Sequence, residues 1–314
     1  MARVLPPITN DDQLDEVHAD AELCTRAIAA FATREGLEGS VTFFEEGSAI
    51  VGRVGDGIVK MFAPYDTEHA DTEARVLRHL EGRLPCPTPA VLGRATFDDW
   101  SVVSMSALDG VPLSRVWSDL SETEKEELCK SMGATTRALH DLPVEPVADL
   151  PPDWKTFIQA GPERCLERQR RFKLPPHWIE QIEPYLASVE LPETQPVLLH
   201  TELMREHFLV AERNGTWALT GLIDFEPSMV GHPEYDFSSV GLFITDANPR
   251  LIAAFARGYD LQPDADLPRR CLAYTLLHRY ACLPWYLERL PSDGLTTLDQ
   301  LAESWWPFPP PSRA

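Results

Sequence analysis

The sequence predicts an α+β chain in two parts: a small antiparallel sheet with one inserted helix over residues 1–106, and a larger, mainly helical part over 107–314. Three observations carry this reading. Short apolar segments broken by Gly-Ser and Asp-Gly turns fill 40–62, and more follow in 84–106. Apolar residues at helical spacing open the chain and recur over about 67–81. From Ser121 onward a capping box and long apolar stripes take over.

Length and composition agree with two parts. At ~150 residues per domain, 314 residues make about two domains. With 44% hydrophobic and 25% charged residues, collagen-like, coiled-coil and wholly disordered chains are excluded. Against 49 acids stand 28 lysines and arginines, a net charge of −21. That surplus repels phosphate backbones and anionic lipid, so the sequence predicts neither a nucleic-acid nor a membrane-surface partner. It favours a cationic small molecule or peptide, unless the acid serves solubility alone. The six cysteines are scattered without CxxC spacing and read as small core residues of a reducing compartment. The N-terminus lacks a signal-peptide pattern and no run approaches the ~18 apolar residues of a membrane span, which predicts a cytoplasmic protein.

Taken in order, Leu14, Val17, Ala21, Cys24, Ile28 and Phe31 predict one amphipathic helix over 12–35, stopped by Gly36 and Gly39. Strands separated by Gly47-Ser48 and by Asp56-Gly57 follow, then the helix at about 67–81, then a strand from Trp100 to Met105. Ser121-x-x-Glu124 opens a helix running to about His140. Prolines between helical pieces mark 142–198 as an irregular helical insertion. Asn214-Gly215 turns a second hairpin, and 236–290 returns to helices. The terminal WWPFPPPSRA reads as a packed cap followed by a frayed tail.

Lysine is scarce, five against twenty-three arginines, and one sits inside the strand GIVKMF. There Lys60 shares a face with Ile58 and Phe62, and a buried ammonium needs a counter-charge. Glu73 lies on the apolar stripe of the next helix with Ala70, Leu77 and Leu80. Pairing the two resolves both burials, the arrangement by which kinases hold nucleotide phosphates. The alternative is a snorkelling lysine beside an exposed glutamate. A second cluster lies in VLLHTELMREHFLV, where His200, Glu202, Arg205, Glu206 and His207 interrupt an apolar strand. Asp224 follows Leu222-Ile223 at the end of the return strand, a position suited to a metal carboxylate. Glu202, His207 and Asp224 are candidates to converge on one cation; a metallohydrolase site and a structural polar network are the competing readings.

In this order the features resemble the aminoglycoside phosphotransferase family of kinase-like enzymes, hygromycin-type in layout, over about 40–310. The resemblance rests on IVKMF, the Glu73 helix, the loop from His200, the IDF segment and GHPEYDFSS at 231–239. It implies a bilobal protein-kinase-like fold and transfer of the γ-phosphoryl group of ATP, or GTP, to a hydroxyl with Mg2+ or Mn2+. Gly47 and Ser48 would cover the phosphates, Lys60 would hold them and Glu73 would orient Lys60. Backbone groups between Ser104 and Leu108, Ser106 and Leu108 in particular, would hold adenine. Asp224 would ligate the metal, and Asp236 would brace the catalytic loop beside His200.

The chain departs from the family where its loop reads H-T-E-L-M-R-E-H instead of H-G-D-x-x-x-x-N. Glu202 replaces the base aspartate, about one methylene further out, and His207 replaces a metal-binding asparagine. Imidazole suits manganese or zinc better than magnesium, and Glu226, two residues beyond Asp224, offers a further oxygen ligand. For the acceptor, Glu226, Glu234, Asp246, Tyr274, His278, Trp285, Tyr286 and Glu288 are candidates. The leading expectation is phosphorylation of a small cationic alcohol such as an aminoglycoside-like antibiotic. Phosphorylation of Ser or Thr in a peptide precursor is an alternative. So is a kinase-like binding module without transferase activity, which the two loop replacements favour.

Overall fold

The computed structural model describes residues 3–309. The frayed tail expected after the terminal tryptophans falls largely on 310–314, outside the described residues. The chain divides into two compact units: the first comprises 1–83, 87–109 and 221–227, the second the remainder.

In the first unit two helices, α1 (Asp11–His18) and α2 (Ala21–Glu35), replace the single opening helix that periodicity predicts. The break falls at Asp20, whose carboxylate caps α2 by accepting the Leu23 N–H. A cap of this kind satisfies a backbone donor that a continuous helix would have bonded internally. Strands β1 (Val41–Phe44), β2 (Ile50–Val54), β3 (Gly57–Phe62), β4 (Val91–Phe97) and β5 (Trp100–Ser106) form one antiparallel sheet in the order β1-β2-β3-β5-β4. Helix α3 (Thr67–Leu80) is inserted between β3 and β4. Strand alternation divides β3 into two faces. Val59 and Met61 join Ile28, Phe31, Trp100 and Val102 in the core under α2. Gly52 lets that helix approach, since a Cβ there would meet Ile28 Cδ1 at 2.4 Å. Lys60 is left on the opposite face, the one met by Glu73 of α3.

The second unit begins with β6 (Val111–Pro112) and α4 (Leu113–Val116), then the long α5 (Glu122–His140), whose capping box at Ser121 and Glu124 is complete. The proline-rich insertion holds α6 (Trp154–Gln159), α7 (Gly161–Arg171) and α8 (Pro176–Ser188). After it come β7 (Val197–Leu199), the hairpin β8 (Phe208–Arg213) and β9 (Thr216–Leu222), and β10 (Met229–Gly231), which pairs with β7. The last residues of β9 belong to the first unit. Helices α9 (Glu234–Ser239), α10 (Pro249–Tyr259), α11 (Leu267–Leu277), α12 (Leu283–Arg289) and α13 (Leu298–Trp305) complete the unit. Helices α5 and α10 meet backbone to backbone: a Cβ on Gly258 would sit 1.9 Å from the Lys130 carbonyl oxygen. Trp305 and Trp306 are fully buried, and the Trp306 indole donates to the Phe237 carbonyl at 3.0 Å, so the terminal cap is packed as expected. All six cysteines are free.

Candidate active site

Sheet alternation and the α3 stripe bring Lys60 and Glu73 together, with Nζ and Oε2 3.1 Å apart and both residues buried. The segment 221–227 adds two more carboxylates to the same ammonium, Asp224 at 2.5 Å and Glu226 at 2.5 Å. Burial pulls the Lys60 pKa down, and Asp224, Glu226 and Glu73 together outweigh it, holding the amine charged well above its ordinary value. Burial foremost pushes the Glu73 carboxyl up, against the attraction of Lys60. Three carboxylates around one ammonium leave a surplus of two negative charges if all ionise. A hard divalent cation suits that donor set. Asp224 sits at φ +74°, which turns its side chain out of the strand line.

Gly47 has φ +122° in the β1–β2 turn, and the Ser48 hydroxyl donates to Glu226 at 3.1 Å. At the end of β5, Ser106 donates its N–H to the Ala90 carbonyl at 2.8 Å, and its hydroxyl accepts the Ala90 N–H at 2.9 Å. Ala107 donates to the Asp56 carbonyl at 2.8 Å. Leu108 is therefore the first residue of this segment whose N–H is not committed to these neighbours.

In the second unit the loop after β7 is built around Asp236, which is wholly buried on α9. Its carboxylate accepts the N–H groups of His200 at 3.0 Å and Thr201 at 2.6 Å. His140, at the end of α5, donates Nε2–H to the same carboxylate at 2.9 Å while its Nδ1 accepts the Tyr259 hydroxyl at 2.8 Å. The Thr201 carbonyl is held in turn by His278 Nε2 at 3.1 Å. These bonds fix Thr201 at φ +73°, a conformation a β-branched residue adopts only under constraint. It occupies the place where H-G-D carries glycine. His200 is fully buried, its Nδ1 accepting the Glu202 N–H at 3.3 Å, so it positions the loop instead of reaching outward. His207 donates Nδ1–H to the Glu202 carbonyl at 2.7 Å, which makes Nε2 the nitrogen it can offer a cation.

Sequence reasoning missed His140 and Tyr259 as supports of Asp236. The signal for His140 was present, since it continues the inward stripe of Met132 and Thr136. It also missed the partners of the acids read as acceptor ligands. Glu234 forms two bonds with Arg270 at 2.7 and 2.8 Å, and Asp246 pairs with Arg205 at 2.8 Å. Tyr274 is buried, stacked on His232 with ring centroids 5.6 Å apart.

His232, in the GHPEYDFSS segment, accepts the Glu234 N–H through Nδ1 at 3.3 Å and is 5% exposed. Burial, with Arg270 and His140 adding, pushes its pKa down to about 4. Because the folded value lies below that of the unfolded chain, its stabilisation is whole above pH ~6.5 and is lost as pH falls through about 4. Urea midpoints should therefore fall more steeply from pH 7 to 4.5 in the parent than in His232→Phe, the gap amounting to about 2–3 kcal/mol. Parallel profiles would refute this.

Comparison with known proteins gives a family and a fold. The model of the phosphotransferase enzyme family matches residues 42–273. No curated protein matches the chain. Among solved structures, the GDP and kanamycin complex of APH(2")-IIia is 18% identical, covering 80% of this chain and 88% of that one with a TM-score of 0.67. The streptomycin-ATP ternary complex of APH(2")-IIa is 15% identical, covering 84% and 96% with a TM-score of 0.60. Macrolide 2'-phosphotransferase MphH from Brachybacterium faecium, an apoenzyme, is 21% identical, covering 91% and 99% with a TM-score of 0.59. At such identities the likeness shows the fold, the α+β kinase-like one with an antiparallel sheet in the smaller part.

Proposed function

Since the chain belongs to the phosphotransferase enzyme family, we propose that it moves the γ-phosphoryl group of ATP, or GTP, to a hydroxyl of a small molecule. The observation that carries this reading is the buried Lys60 held by Glu73 and faced by Asp224 and Glu226. In it Lys60 holds the α- and β-phosphates and Glu73 fixes the ammonium. Gly47 and Ser48 cover the phosphates from the β1–β2 turn, and the Leu108 N–H meets adenine, with the Ser106 N–H already committed. The first unit thus serves the nucleotide, and the second carries the catalytic loop and the acceptor. Asp224, Glu226 and His207 are the ligands assigned to Mg2+ or Mn2+; the carboxylates suit either, and the imidazole favours manganese. Bound there, the cation would neutralise charge on the transferring phosphoryl group.

Glu202 accepts the acceptor's hydroxyl proton or orients that hydroxyl, with His200 and Asp236 positioning it. The relatives include proteins solved with kanamycin or streptomycin, which supports a small-molecule hydroxyl as the acceptor, with an aminoglycoside-like cation the first class to assay. Among the described residues no helix is long and apolar enough to cross a membrane. With six free cysteines, the cytosol is the compartment proposed.

Thermal unfolding with ATP or GTP, each with Mg2+, Mn2+ or neither, tests the nucleotide site. A ligand at ~100 Kd adds about 2.7 kcal/mol to stability, hence a metal-dependent rise of several degrees, absent from Asp224→Ala. No shift under any condition would overturn the reading. A shift without phosphorylated product from any acceptor would favour the binding module.

A further inference from the structure

The second unit contains a cavity of about 210 Å³ beside the catalytic loop, with Glu202 in its wall. Met204, Leu242, Phe243 and Tyr286 supply apolar and aromatic surface, and Glu202 is the one acidic group lining it. The hydroxyl hydrogens of its serines and threonine are committed inward. Ser238 donates to the Tyr235 carbonyl at 2.7 Å, Ser239 to that of Thr201 at 3.4 Å and Thr275 to that of Cys271 at 2.9 Å. His278 bonds the Thr201 carbonyl through Nε2 and accepts the Tyr280 N–H through Nδ1 at 3.2 Å. Burial, with Arg279 adding, pushes its pKa down to about 4, so it is neutral at ordinary pH.

Arginines flank the cavity although the chain is acidic overall. Arg205 follows Met204 and donates to the Phe243 carbonyl at 2.8 Å. Arg168 lies over the Tyr280 ring at 5.9 Å, and Arg289 over Trp285 at 4.1 Å, so two aromatic faces already hold guanidinium groups. Asp246 is paired with Arg205 and Glu234 with Arg270, which Asp264 shares, and neither acid lines the cavity. A polyamine entering here would lose water and meet the single carboxylate of Glu202, leaving its other ammonium groups without a partner in the wall.

Resting on the phosphotransfer reading above, the geometry points to an uncharged alcohol as acceptor, its hydroxyl borne on a compact apolar or aromatic end that fills this pocket beside Glu202. The volume lies below the ~300–1,000 Å³ of pockets for drug-sized ligands, so it takes a ring-sized group, not a whole aminoglycoside. In the step, the acceptor oxygen bonds the γ-phosphorus as its proton passes to Glu202. The bond from the γ-phosphorus to the bridging oxygen breaks, and its electron pair leaves on ADP. The products are a phosphomonoester, ADP and a proton.

The test compares phenylpropanediol, an uncharged aryl alcohol, with kanamycin and streptomycin, after nucleotide binding has been measured by thermal shift. Phosphomonoester is read by mass spectrometry and kcat/KM by ADP release. The uncharged alcohol should exceed the polycations at least about tenfold, and Met204→Glu, which adds a carboxylate to the wall, should narrow that ratio about tenfold. With nucleotide bound, equal or better use of the polycations would overturn this proposal alone. So would transfer to neither class, or an unchanged ratio in a folded Met204→Glu variant. Absence of nucleotide binding would overturn the phosphotransfer reading and this proposal with it.

Discussion

Lys60→Ala should abolish phosphoryl transfer for practical purposes, with a fall in kcat/KM of ~10³-fold or more. The same substitution removes the only ammonium from a group of three carboxylates, two of them largely buried. Stability should drop by about 3–5 kcal/mol, the usual consequence of breaking a buried pair from one side. The two losses separate in a second variant. Lys60→Met with Glu73→Gln removes both charges of the buried pair and should regain much of the stability while recovering none of the transfer. Denaturant midpoints and steady-state rates on the parent and both variants check this. Retention of kcat/KM within tenfold in Lys60→Ala would show that the lysine holds the fold and not the phosphates.

Asp236→Asn is expected to be the second most damaging change, although the residue is remote from solvent and assigned no part in the chemistry. Its carboxylate accepts three donors, the His200 and Thr201 N–H groups and His140 Nε2–H. An amide turns one of those acceptors into a donor and leaves at least one buried N–H opposed, at about 1–3 kcal/mol. The loop then loses what keeps Thr201 left-handed, and Glu202 follows next in the chain. Displacement by ~1 Å corresponds to about a hundredfold in kcat, whereas nucleotide binding should be unchanged. Thr201→Gly in the Asp236→Asn background should recover part of kcat, because glycine adopts that backbone without constraint. Loss of stability with no change in kcat, or no recovery with glycine, would reduce Asp236 to a packing residue.

The ion pair between Lys60 and Glu73 was legible because two short periodicities converge on it, alternation along β3 and the inward stripe of α3. What joins Lys60 from far along the chain was not. Asp224 and Glu226 read as carboxylates at a strand end, and nothing local says that an ammonium 164 residues earlier meets Asp224. The acids weighed as acceptor ligands show the same limit. Glu234 and Asp246 meet arginines 36 and 41 residues away in sequence, and net charge is silent about such pairing. Other omissions were readable. Thr297 and Gln300 form a capping box whose spacing is plain in the sequence and marks the start of α13. The break between α1 and α2 has its capping aspartate in view at Asp20, but an unbroken apolar stripe outweighs one cap.

The first unit is not one stretch of chain. Its segment 221–227, which carries Asp224 and Glu226, comes more than a hundred residues after the previous one ends at Asp109. A fragment cut at residue 109 would present Lys60 with Glu73 alone. During synthesis the same gap becomes a delay. At ~5–20 residues per second the ribosome needs roughly 6–24 s to deliver the two missing carboxylates. For that interval the sheet and its helices exist without their last segment. A nascent chain stalled when residue 109 has just cleared the exit tunnel should therefore show the sheet's protection from proteolysis but no metal-dependent nucleotide binding. That binding should appear only once residue 227 has cleared the exit tunnel.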